Sequence, residues 1–106
     1  MAKYLVKGSY SAAGAKGLIK EGGSSRKAAV EKMVKALGGS VECFYYAFGE
    51  TDVYVIVDVP DAVSATAVSL AVNSTGSVAL TSLPLMTVEE MDAACAKTVD
   101  YRPPGS

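Results

Sequence analysis

Histidine is absent from this chain, and only two cysteines occur in 106 residues. Without imidazole there is no Ser–His or Cys–His nucleophile pair, no usual zinc site and no ordinary near-neutral base. Cys43 and Cys95 are far apart and lack metal-type spacing, so two reduced thiols are expected, with no metal and no cofactor. A dominant charge is missing as well. Ten basic and eleven acidic residues nearly cancel, which leaves no electrostatic footprint for nucleic acid or an anionic membrane. No hydrophobic leader is read, because Met1 runs straight into the strand-like segment Lys3–Ser9. A cytoplasmic location is therefore expected, and the Asn73-Ser74-Thr75 sequon has no meaning there.

What is present is a long uncharged run, Ala62 to Val88, between Asp61 and Glu89. It is broken at Asn73–Ser77 and at Pro84, so its apolar pieces are too short to span a bilayer. Beside it lies a hairpin-like segment, Ser40 to Val59, that is apolar on both faces. One layer of helices cannot cover that much uncharged surface. A sheet covered by its own helices on one side and by a second subunit on the other is the expected solution.

The length fits one domain over residues 1–99, followed by a tail over 100–106 without helix or strand signals. Residues 3–10 read as a strand. Ser11 to Glu21 reads as a short helix with Ala15, Leu18 and Ile19 on one face, weakened by Gly14 and Gly17. After Gly22-Gly23, Ser24 or Ser25 can cap a second helix whose core stripe is Val30, Met33, Val34 and Leu37, closed by Gly38-Gly39. Ser40–Phe48 and Val53–Val59 read as paired strands around the turn Gly49–Asp52. In the second strand Val53, Val55, Val57 and Val59 share one face, and Tyr54, Ile56 and Asp58 the other. Asp61 caps a helix over 62–72 that should be buried on more than one side. A last strand covers 78–83, and Thr87-Val88-Glu89-Glu90 forms a capping box opening a helix to about Lys97. This order gives an α+β, ferredoxin-like βαββαβ domain with a C-terminal helix. Its free sheet face is expected to carry Leu5, Phe44, Tyr46, Phe48 and Ile56, or their neighbours in the alternative register. Two such faces packed together form a dimeric α+β barrel.

These segments resemble the GYD domain family, named for a Gly-Tyr-Asp motif. The resemblance rests on Lys3-Tyr4, the stretch Gly14–Ser24, the Ala-Val-Glu-Lys run at 29–32, Leu37-Gly38-Gly39, Phe48–Val53 and Pro84-Leu85-Met86-Thr87. At the naming motif Thr51 stands in place of the tyrosine, while Gly49 and Asp52 remain. The resemblance implies a dimeric α+β barrel fold and no established reaction.

Several groups carry chemistry in one reading and plain structure in another. Glu50 and Asp52 set two carboxylates on a tight loop, as ligand-binding groups, a general acid/base or a metal-ligand pair at a barrel mouth, or as ordinary turn formers. Gly22–Lys27 offers free amides and two cations to an anion, or simply breaks and restarts a helix. Asp58, among valines and near Lys3, Lys7 and Tyr46, is either a desolvated base working with Tyr46 or an ion-pair partner. Tyr4, Tyr10, Tyr45, Tyr46 and Tyr54 could line a pocket with Lys7 and Phe44, or pack as core. The function expected is a homo-oligomer that binds a small apolar or aromatic metabolite between subunits. A cofactor-independent isomerase, decarboxylase or monooxygenase of the dimeric-barrel type is one alternative. A purely structural or regulatory oligomer is the other.

Overall fold

A computed structural model describes residues 1–47 and 49–106. Phe48, counted above in the hairpin and on the free face, lies outside the described residues. The elements run β1 (Ala2–Tyr10), α1 (Ala12–Glu21), α2 (Gly23–Ala36), β2 (Ser40–Tyr46), β3 (Val53–Val59), α3 (Ala62–Ser74), β4 (Val78–Leu85) and α4 (Val88–Ala96). The strands form one antiparallel sheet in the order β2-β3-β1-β4, which is the ferredoxin-like arrangement read from the sequence. No helix is long and apolar enough to cross a membrane among the described residues.

The helix starts follow local chemistry. Ser11 caps α1 by accepting from the Gly14 amide at 3.1 Å, and Thr87 and Glu90 complete the capping box of α4. Gly14 has a packing reason to be glycine. A Cβ there would lie 2.1 Å from the Ser77 carbonyl oxygen, so the first turn of α1 sits directly against the start of β4. α2 departs from expectation: it begins at Gly23 behind Gly22, with no side-chain cap from Ser24 or Ser25.

Asp61 caps α3 through a 2.8 Å bond from the Ser64 amide to its carboxylate. Bonds from Ser64 hold this carboxyl below its ordinary value of 3.8, against a smaller opposing effect of burial. A carboxyl with a depressed folded pKa stabilises above the unfolded value, and that stability is lost as pH falls through the folded one. The melting temperature of wild type relative to Asp61→Asn should therefore decline once pH drops below about 4. A difference that stays flat from pH 7 to pH 2.5 in thermal melts would refute the linkage.

The core forms where the valine face of β3 meets the helices. Val53, Val55, Val57 and Val59 are buried, together with Val34 of α2 and Ala65 of α3. Elsewhere the helices are covered less than their composition implies. In α1, Ile19 is 84% exposed and Ala15 also points outward, leaving Leu18 half-buried. In α3 only Ala65 is buried, while Val63 and Leu70 on its outer side are 78% and 67% exposed. Burial of α3 on more than one side is thus not met within one chain. Every residue of α4 is exposed. The radius of gyration, 16.9 Å, exceeds the roughly 13 Å of a compact domain of this length, because α4 and the tail reach away from the sheet.

Candidate functional site

The sheet has two faces, and each carries a feature that ordinary core packing does not require. The alternation of β3 fixes both. Opposite to its valines it presents Tyr54, Ile56 and Asp58, and the strand registers extend that face across the sheet. One row runs Cys43, Ile56, Leu5, Leu83; the next runs Tyr45, Tyr54, Lys7, Thr81. This face is left largely open, with Tyr54, Leu83 and Tyr45 at 39%, 41% and 68% exposure. Leu5 and Ile56 fall here as expected. Phe44 and Tyr46 do not: a bulge between Val41 and Cys43 inserts one residue into β2, so that Phe44 pairs with Val55 and Tyr46 with Val53 on the helix side. A bulge reverses the facing of every residue beyond it, and strict alternation had therefore placed both on the wrong side.

The charges of the open face lie at its two ends. Lys3 Nζ donates to the Asp58 carboxylate at 3.0 Å and lies 3.5 Å from that of Glu42. The hydrogen bond to Asp58 holds the Lys3 ammonium above its ordinary pKa, against a partly opposing desolvation and with added attraction from both carboxylates. Asp58 is thus engaged as an ion-pair partner. It also lies on the opposite face from Tyr46, so a base–tyrosine pair is not assembled within one chain. Lys7 stands at the far end of the face, opposite Tyr54. At the β2–β3 turn the Asp52 carboxylate accepts from the Tyr10 amide at 2.9 Å, and the Glu50 backbone carbonyl accepts from the Ser9 hydroxyl.

Beneath the helices lies a cavity of about 240 Å³. Its floor is the valine face of β3 with Val6 and Phe44, and its walls come from Val30 and Met33 of α2 and from Ala65 and Val68 of α3. The sequence explains the void. The β3 floor is made of valines and α3 contributes small residues, and the chain has only two phenylalanines and no tryptophan to fill the gap. Tyr10 and Arg26 line both this cavity and an adjoining groove of about 400 Å³ bounded by Leu18, Ala71 and Ser77. The Tyr46 hydroxyl donates to the Gly23 carbonyl at 3.0 Å, and its ring meets Phe44 edge to face at 5.2 Å. Burial raises the Tyr46 phenol above its ordinary pKa; neighbouring Tyr10 adds to this and Arg26 partly offsets it.

The proposed ligand residues are thus divided by the sheet. Phe44, Tyr46, Tyr4 and Tyr10 belong to the helix side, while Lys7, Tyr54 and Tyr45 belong to the open face. Sequence reasoning overlooked Arg26 as the cation of the cavity, placing it only in a helix-start motif. The signal available was the helical spacing of Arg26, Val30 and Met33, which sets the cation on the core stripe. Among the described residues no cluster of three or more Cys, Asp or Glu side chains is placed to hold a metal ion.

The fold and these two surfaces define a small α+β domain with an open apolar sheet face and an apolar cavity between the sheet and its helices. The sequence profile of the GYD domain matches residues 4–95, and the chain belongs to the GYD domain family. No match was found among curated proteins or among solved structures.

Proposed function

We propose that this GYD domain is a homo-oligomeric binding protein for a small apolar or aromatic metabolite. The open sheet face joins it to a second copy, and the cavity on the other side of the same sheet holds the ligand. The observation that carries the reading is the cavity. Native interiors pack with few voids larger than a water molecule, and an engineered apolar void of about 150 Å³ is already enough to admit benzene. The 240 Å³ found here accommodates a substituted single ring. The sequence placed the ligand between subunits; the cavity favours a place inside each one.

Support for the second copy comes from the pattern of the open face. Its apolar rows are bordered at one end by Lys3, Glu42 and Asp58, a group of net negative charge, and at the other by Lys7. A two-fold axis that lies in the interface and runs across the strands brings opposite ends together, and in that arrangement the face is complementary to itself in charge. Native mass spectrometry of the purified protein, repeated after denaturation, tests both parts. A defined oligomer carrying extra mass that is lost on denaturation is expected. A monomer at all concentrations would contradict the assembly, and bare subunits that take up no small aromatic compound would contradict the ligand.

A further inference from the structure

The lining of the cavity narrows the chemistry of what enters it. Among the described residues that line the cavity, Arg26 is the only charged one. It is placed from the first turns of α2, where it also lines the adjoining groove together with Glu21. Among the described residues its one ionic partner is Glu21 at 3.9 Å, with the two side chains 34% and 47% exposed. Such a contact sits at the limit of an ion pair and is worth little in water. The guanidinium fork is therefore available at an edge of the cavity that Tyr10 also lines. Guanidinium is planar and presents paired donors that match a carboxylate bidentately.

We propose that the occupant is a small apolar carboxylate, a single ring or short alkyl chain ending in a carboxylate group. Its body lies among the valines of β3 and its head lies on Arg26 beside Tyr10. This rests on the cavity being the ligand site. A carboxylate turned outward takes the Arg26 fork in place of its marginal contact to Glu21 and keeps contact with water in the groove that Arg26 and Glu21 both line.

The test uses the full chain and two matched probes, 4-phenylbutyrate and 4-phenyl-1-butanol, titrated by NMR into wild type, Arg26→Gln and Ala65→Leu. Ala65 faces the cavity from α3, and leucine there fills part of it. Wild type is expected to bind the carboxylate about tenfold more tightly than the alcohol, the scale of one charge-assisted contact. Arg26→Gln should bring the two probes to parity, and Ala65→Leu should weaken both. Arg26→Lys, which keeps the charge and loses the fork, should retain part of the preference and serves if Arg26→Gln melts early. Equal binding of the two probes to wild type, still blocked by Ala65→Leu, would overturn the carboxylate head and leave the cavity as the ligand site. Failure of both probes to bind, or binding indifferent to Ala65→Leu, would overturn the cavity reading as well.

Discussion

Ile56→Asp is expected to turn the assembled protein into a folded monomer. Ile56 sits at the centre of the open face, flanked by Cys43 on one side and Leu5 on the other. In the free chain an aspartate there meets water and costs little. At a face-to-face contact it becomes a buried charge without a partner. Such a charge costs roughly 3 kcal/mol or more, which weakens association by more than a hundredfold for each substituted copy. A two-fold interface contains two copies of the substitution, close together and of like sign. Sedimentation velocity should show the variant at 10.9 kDa, with a melting temperature that no longer depends on protein concentration. A variant that sediments as wild type does would show that the open face is not the interface. Phe44→Asp makes a useful contrast. Phe44 packs against the core on the helix side, so its charged variant should fail to fold instead of dissociating.

The second large effect belongs to Gly39. A Cβ at this position would lie 2.3 Å from the Asp58 carbonyl oxygen, 3.0 Å from Val34 and 3.2 Å from Val59. Val34 and Val59 are the two most deeply buried side chains, and the carbonyl belongs to a strand in the middle of the sheet. None of the three can swing aside as the end of a flexible side chain would. Overpacking of this kind costs about 1–3 kcal/mol, with the upper end expected because one obstacle is backbone. For a domain of this size that is a fall in melting temperature of roughly 10–15 °C. Gly17→Ala provides the opposite case. A Cβ at Gly17 meets nothing within 4 Å, and the position lies inside α1, where alanine gains up to about 1 kcal/mol over glycine. Its melting temperature should rise by a few degrees. If both variants melt with wild type, the close approach at Gly39 is not real.

These contrasts mark where the sequence could be read and where it could not. The β3 pattern is self-reporting, because four valines at period two leave one solution for the strand and both its faces. The capping residues Asp61 and Thr87 were legible for a similar reason: each uses its own side chain on an amide three residues later; Ser11 does the same but reads in the sequence as part of its helix. β2 was not legible beyond Val41. Its bulge depends on pairing with β3, and nothing within Ser40–Tyr46 announces the extra residue. Within one chain Ile19, Val63 and Leu70 stay exposed, so an apolar composition in α1 and α3 does not by itself tell which of their faces this chain covers. The cavity could not be seen from composition alone. A shortage of large side chains is visible in the sequence, but whether the layers close over that shortage is decided by helix placement.

The bulge in β2 has an effect at a larger scale as well. β2 and β4 are the two edges of the sheet, where unpaired amides and carbonyls invite another chain to add a strand. On β4 Pro84 has no amide hydrogen to offer, and on β2 the bulge disturbs the spacing a docking strand would need. Both lateral routes to an endless sheet are thus obstructed, while the broad apolar face stays open. A chain with so much uncharged surface is in this way guarded against edge-to-edge growth into fibrils, even at the high local concentrations met during its own synthesis.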